Sequence, residues 1–537
     1  MLKWLIVFIL IFSNILFAEP SGWEKASTII EKDGYQPSIA VAKKHLYVSY
    51  TKNIDNSSEI FFIHSTNEGD TWFKEKKISS TGINSENPII HIFNNILYVF
   101  WVDFRDGNNE IYFCFSQDPS GNKVSSPVNI TSDKSDSVNP VVGFTGEKIF
   151  LIWSDDRTGD YELFCRAYDI KEKEWNDPVQ ITEFSGGSFS PSLLTIMDDL
   201  YVSWQQKDGN NWKIMASQSA GGESWSAPRN ISLGLNNAYS PVSIVSPDGP
   251  AILFQGIRDL QPDLFSSTFD LMDEKWNIPL SVTSDLAMEK SPYLVNSLNE
   301  LDLFYIATLD TGNNIIHQGS PDKGVTWQEK NTLSETGNSI KNYKVAYNTL
   351  NDNTYLVWEK DGGTIRFIKK DRFCTSPRIL HSSHKEDKWS FKKDVKIKWT
   401  AEDDSSGIKD YAYILDKEST TNPELFEEGH PVSEAVFNNI KDGIWYFHLK
   451  SRDNSGNISK PVHYKIMINS QLFSSSEKYY VIKYGDTLWD VAKAHFNKAE
   501  TYKKLAEYND IDDPDWIYPH QIIRIPSEKY LGSEDSK

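Results

Sequence analysis

The chain has 537 residues with 55 Lys and Arg against 75 Asp and Glu, a formal net charge of -20. That balance excludes a phosphate-backbone partner, which depends on clustered Lys and Arg, and the length exceeds what one hydrophobic core organises. Among Cys and His no cluster has metal-ligand spacing, so neither a metal nor another cofactor is expected.

The N-terminus reads Met1-Leu2-Lys3, then an apolar stretch from Trp4 to Phe17 broken only by Ser13 and Asn14, then Ala18-Glu19-Pro20. This pattern predicts a secretory signal peptide over residues 1–18, cleaved after Ala18. No Cys follows it, and no later run is long and apolar enough to cross a bilayer, so export without stable membrane insertion is expected.

From residue 21 to 374 the sequence repeats. An apolar stretch introduced by Ser/Asn-Pro or Gln-Pro recurs at Pro37, Pro88, Pro140, Pro191, Pro241 and Pro292, with spacings of 50 to 52 residues. Thirteen residues after each proline stands an aromatic: Tyr50, Trp101, Trp153, Trp204, Phe254 and Tyr305. A third β-type run follows, and a fourth opens at Trp72, Trp175, Trp225, Trp276 or Trp327 and ends in Ile-Ser, Ile-Thr, Val-Thr or Leu-Ser. Four short antiparallel strands per period describe one propeller blade. A seventh copy around Trp358 lacks its fourth strand, whereas Gly22–Ile30 resembles one, so the N-terminal segment is expected to complete the last blade. Seven blades follow, with six as the alternative. Cys114 and Cys165 occupy equivalent strand positions and are expected as buried thiols, and the strand-end aromatics as packing between blades.

Ser320-Pro321-Asp322-Lys323-Gly324-Val325-Thr326-Trp327 matches the Ser-x-Asp-x-Gly-x-Thr-Trp pattern of the Asp box, or BNR repeat, and Ser65–Trp72 matches with Asn67 for Asp. The repeats thus resemble sialidases and their non-catalytic relatives. The resemblance implies a structural turn, away from the active face. Sialidase chemistry needs an arginine triad, a Tyr–Glu nucleophile pair and an acid/base Asp. The Arg-Ile-Pro element that opens those enzymes and supplies their first arginine is expected nowhere in the chain, which argues against catalysis, and no catalytic residue is assigned. Arg105, Arg157 and Arg258 stand 17 residues after their prolines. They form either a constellation for an anionic ligand or, in Asp103-Phe104-Arg105 and Asp155-Asp156-Arg157, braces for turns.

Residues 375–469 break the period. Val395–Trp399, Tyr411–Leu415 and Trp445–Lys450 alternate as half-buried strands do, and with Asp453-Asn454-Ser455-Gly456-Asn457 they resemble bacterial Ig-like or fibronectin-type-III-like sandwiches. A polar linker (470–478) leads to residues 479–526, followed by a polar tail (527–537).

In 479–526 the order is strand, helix, helix, strand, with Tyr484-Gly485-Asp486-Thr487-Leu488-Trp489 and Ile517-Tyr518-Pro519-His520-Gln521. It resembles a LysM module. The resemblance implies binding of peptidoglycan or a related GlcNAc polymer in a groove between Gly485, Asp486, Thr487 and Leu488 on one side and Asn509, Ile511, Asp513, Pro514, Trp516 and Ile517 on the other. His520 departs from the usual Gly. The expected protein is an exported, non-catalytic scaffold at the periplasm or cell wall, whose propeller contacts an envelope protein or glycan. The alternative is a wall-associated glycoside hydrolase of sialidase type.

Overall fold

The computed structural model describes residues 22–526 apart from 80–81, 119, 122, 248, 259–260, 284–287, 299, 310–311, 335–339, 402–403, 405, 427–431 and 471–477. The expected signal peptide, the C-terminal tail and most of the expected linker lie outside the described residues. The chain divides into two compact units, one holding the repeats and the other running from Cys374. Among the described residues no helix is long and apolar enough to cross a membrane.

The repeat unit is built of antiparallel sheets whose strands follow one another in sequence. The first is Gly34–Ala42, His45–Ile54, Ser57–Ser65 and Lys76–Lys77. Five more sheets repeat this order, their first strands being Ser85–Phe93, Ser137–Phe144, Ser188–Ile196, Asn237–Ser246 and Met288–Asn296. The seventh joins Tyr343–Asn348, Asn353–Lys360 and Thr364–Lys370 to the N-terminal strand Ser27–Ile30, which pairs antiparallel with Thr364–Lys370. Sequence-adjacent sheets share apolar clusters, and one more cluster, containing Ile39, Tyr50, Tyr355 and Phe367, joins the seventh sheet to the first. The aromatics expected at the ends of the second strands, from Tyr50 to Trp358, lie two to four residues inside them and are buried in these clusters, as are Cys114 and Cys165.

The outer fourth strand is only two residues long in each repeated sheet, and in the third and fifth sheets it is split, as at Glu174–Trp175 and Val179–Gln180. In the second to fifth sheets proline contributes to this. Pro127, Pro178, Pro228 and Pro279 stand in these segments, and a residue without an N–H interrupts the ladder and blunts the edge. The Ser or Thr that ends each fourth run replaces a missing carbonyl. Ser79 Oγ accepts from Ile60 N at 2.8 Å, Thr182 Oγ1 from Leu163 N at 2.8 Å, and Ser334 Oγ from Ile315 N at 3.0 Å. A recurring Ile-Ser or Ile-Thr is thus a clasp on the third strand.

The first strands of the first six sheets are each kinked by a bulge. The residue before each repeat proline (Gln36, Asn87, Asn139, Ser190, Ser240 and Ser291) has a positive φ between 48° and 54°, and the register shifts at that point.

The second unit begins with two facing sheets, Pro377–Ser382, Val395–Ala401 and Glu434–Phe437 against Trp389–Ser390, Val462–Ile468, Gly443–Asp453 and Ile408–Asp416. Trp399, Tyr411, Phe447 and Leu449 fill the space between them. The chain then forms strand Lys478–Val481, helix Leu488–Phe496, a 3-10 turn Ala499–Thr501, helix Tyr502–Tyr508 and strand Ile522–Ile525, the two strands pairing antiparallel. The first helix starts where the sequence places it. Thr487 Oγ1 accepts from Asp490 N at 3.1 Å while the Asp490 carboxylate accepts from Thr487 N at 3.3 Å, a capping box. Leu488, Val491, Ala492, Leu505 and Ile523 form its core.

Candidate functional site

Two groups of residues merit consideration: the repeated arginines and the loops of the C-terminal module. Each arginine has its own immediate surroundings. Arg105 Nε donates to Asp103 Oδ1 at 2.8 Å and its Nη2 to Asp103 Oδ2 at 2.7 Å; Arg157 forks onto Asp155 at 2.7 Å on both arms and also meets Asp133 at 2.6 Å. Each aspartate is buried and also accepts from a Trp indole, Trp101 or Trp153, at 2.8 Å and from a serine, Ser85 or Ser137. Burial pulls Asp103 and Asp155 toward protonation, but the arginine and indole hydrogen bonds outweigh it and hold both below the usual carboxylate range. The same contacts raise Arg105 and Arg157, so these pairs stay charged.

Arg258 is built differently. Gly256 stands where the other two sheets carry aspartate, and the Arg258 guanidinium lies 4.8 Å from the Phe265 ring. None of the three arginines is among the residues that line the cavity at the centre of the ring.

The turn Ser320–Trp327 is closed by its own side chains. Ser320 Oγ accepts from Gly324 N at 2.7 Å and Asp322 Oδ1 from Thr326 N at 2.8 Å. Ser65 and Asn67 make the matching bonds to Gly69 N and Thr71 N at 2.9 and 3.1 Å. These side chains are committed to backbone, which suits a brace rather than a reagent.

In the C-terminal module the pairing of Val481 with Ile522 brings two loops side by side. Ile482 N donates to Gln521 O at 2.9 Å and His520 N to Ile482 O at 2.7 Å, which stitches residues 482–487 to residues 517–521. Gly485 turns the first loop with φ 89°, and Asp486 Oδ2 accepts from Lys483 N at 2.7 Å and Tyr480 Oη at 2.8 Å. His520 adopts φ 69°, the left-handed conformation that Gly takes without strain.

The ten residues expected to form a groove divide into two kinds. Leu488 is buried in the core, Ile511 and Ile517 pack against it, and Asn509 is held by Arg524 N, Arg524 O and Leu505 O. Gly485, Asp486, Thr487, Asp513, Pro514 and Trp516 lie in turns at the surface, with Trp516 66% exposed. Two aromatics absent from the expectation accompany them, Tyr484 at 95% and Tyr518 at 59% exposure. Their positions beside Gly485 and Pro519 were the available signal. Exposed aromatics on hydrogen-bonded turns offer faces on which sugar rings can stack. One expectation needs correcting in detail. The sequence does contain an Arg-Ile-Pro run, Arg524-Ile525-Pro526, but it closes the last strand of this module, where Arg524 Nη2 donates to Tyr508 O at 2.6 Å.

Comparison with known proteins bears on this module. Over 75 residues the chain is 35% identical to the potassium binding protein Kbp of Escherichia coli O6:H1, a match of 14% of this chain and 50% of that protein. Over 47 residues it is 45% identical to an uncharacterized protein of Deinococcus radiodurans, 9% of this chain and 19% of that one. The chain thus spans at most half the length of these curated relatives. Among solved structures, a PL25 ulvan lyase bound to -[GlcA(1-4)Rha3S]- is similar with a TM-score of 0.49 and 10% identity, over 63% of this chain and 94% of that one. The GH93 alpha-L-arabinofuranosidase of Fusarium graminearum is similar with a TM-score of 0.39 and 14% identity, over 53% and 93%. The model of the LysM domain matches residues 480–526, so the C-terminal module is a LysM domain.

Proposed function

We propose that this chain is an exported, non-catalytic binding protein held at peptidoglycan, or a related GlcNAc-containing glycan, by its LysM domain. The observation that carries the reading is that domain, with its stitched loops and the exposed Tyr484, Trp516 and Tyr518. Gly485, Asp486, Thr487, Asp513, Pro514 and Trp516 are the proposed contacts, with Leu488, Asn509, Ile511 and Ile517 supporting them from beneath. The repeats are read as a seven-bladed, sialidase-like propeller with Asp-box turns that binds a protein or glycan of the envelope, and residues 375–469 as an Ig-like spacer. Seven sheets and the terminal strand pairing support the blade count. Arg105 and Arg157 are read as turn braces, because both charges are matched by their own aspartates.

Co-sedimentation with purified peptidoglycan tests the tether. The intact chain is expected to pellet, and a chain ending at Ser470 to remain in solution; equal pelleting of the two refutes the proposal. The intact chain is expected to turn over neither fluorogenic sialosides nor muropeptides. Turnover that disappears in Arg157→Ala overturns the non-catalytic reading.

A further inference from the structure

His448 and His463 stand 15 positions apart in sequence, on two neighbouring strands of the sandwich, Gly443–Asp453 and Val462–Ile468. No sequence spacing announces the pair; register makes it. Cross-strand partners share one face of a sheet, and here they place Nδ1 of His448 2.6 Å from Nδ1 of His463. The far side of the first ring is fixed. His448 Nε2 lies 2.9 Å from Glu418 O and 3.2 Å from Asp416 Oδ1. Both of these oxygens are acceptors, so that nitrogen carries a proton and donates it. His448 is fully buried, whereas His463 is exposed.

Two ring nitrogens this close hold a single proton between them, because two lone pairs or two N–H groups would repel. Burial and the nearby His448 lower the proton affinity of His463, so that ring is neutral at pH 7. When the shared proton moves to Nε2 of His463, the pair offers two converging imidazole donors. His448 already has the support that a metal-ligating imidazole uses: its other nitrogen donates to a carboxylate and a carbonyl, which fixes tautomer and ring orientation and raises the basicity of Nδ1. Metal–nitrogen bonds of about 2.0–2.1 Å at angles of about 90–110° separate two donors by about 2.9–3.4 Å. From 2.6 Å, a shift of about 0.3–0.8 Å therefore suffices, and the exposed His463 is the ring placed to make it. The lysines two residues along each strand are turned to other partners, Lys450 to Asn422 at 3.1 Å and Lys465 to Asp387 at 2.8 Å, while the Asp416 carboxylate brings negative charge toward an incoming cation.

We propose that His448 Nδ1 and His463 Nδ1 bind one divalent transition-metal ion of the Zn2+, Ni2+ and Cu2+ class, with water completing its coordination. Imidazole suits these ions, whereas Mg2+ and Ca2+ take oxygen ligands. The bound ion ties the two strands together on the outer face of their sheet. This site is separate from the LysM tether, and either can fail without the other.

Calorimetric titration of the full chain with zinc chloride and with calcium chloride at about pH 7.5 tests it. One Zn2+ per chain is expected at a site that loses about 10-fold or more of its affinity in His463→Gln, with Ca2+ at least about 10-fold weaker than Zn2+ in the parent. Glutamine at the exposed position 463 still offers an N–H to His448, so the variant keeps the fold. Electron paramagnetic resonance of the parent with one equivalent of Cu2+ needs no variant and is expected to show two nitrogen ligands. Equal Zn2+ affinity of parent and His463→Gln, Ca2+ bound as tightly as Zn2+, or a copper spectrum with fewer than two nitrogens overturns the proposal.

Discussion

The repeat unit and the LysM domain use polar and aromatic residues in opposite ways. In the ring Trp101, Asp103 and Arg105 are a closed set in which every charge and indole N–H meets a partner inside the sheet. In the LysM domain Tyr484 and Trp516 face solvent. The difference shows that a repeated residue type marks construction when its valences are filled at home, and a site when they are left open. Spacing alone does not distinguish the two cases.

The sharpest way to break this contrast is Asp103→Ala, which leaves the Arg105 guanidinium, the Trp101 indole and Ser85 without their shared acceptor. A loss of about 3–5 kcal/mol in denaturant unfolding of the repeat unit is expected; a loss below about 1 kcal/mol removes the case for a brace. Next is Glu289, fully buried beside Thr283 Oγ1 and lifted to about 7 chiefly by burial, with Asp263 adding to the lift. Its folded value lies above the unfolded 4.5, so its contribution to stability is complete below about 4.5 and is lost as pH rises through about 7. Glu289→Gln should remove that slope, gaining about 1–3 kcal/mol at pH 8 relative to the parent's change from pH 4.

Smaller effects sharpen the LysM side. Thr487→Ala removes the helix cap and should cost about 1 kcal/mol in melting of that domain. His520→Gly relieves the left-handed backbone and should add up to about 1 kcal/mol, read by the same melt. Trp516→Ala should change stability by less than about 0.5 kcal/mol yet weaken pelleting with peptidoglycan about fivefold or more. A stability loss without a binding loss would place Trp516 among construction residues.

Much of the architecture is legible because periodicity is geometric. The prolines recur where six of the sheets are bulged, and the second-strand aromatics where each sheet packs on its neighbour. The capping box at Thr487 is equally local, and the helix begins there. The chemistry is less legible. Arg105 and Arg258 hold the same place in the repeat, yet an Asp-to-Gly exchange two residues earlier, at Gly256, gives them different surroundings. Tyr484 and Tyr518 lie beside turn residues, and in a strand-rich chain, where aromatics are mostly core, no sequence pattern sets them apart.

The pairing of Ser27–Ile30 with Thr364–Lys370 also has a bearing on time. Thr28 and Arg366, bonded across that pair, are separated by 338 positions, so the join waits until nearly the whole ring has been made. Local hairpins form first, and the long-range latch closes last against the entropy of the intervening chain. Until then the open edge of Thr364–Lys370 accepts any matching strand, including the N-terminal strand of a second molecule. A chain shortened past Ile30 should therefore exchange strands with an added peptide of residues 22–31, making the latch a point at which assembly is controlled from outside.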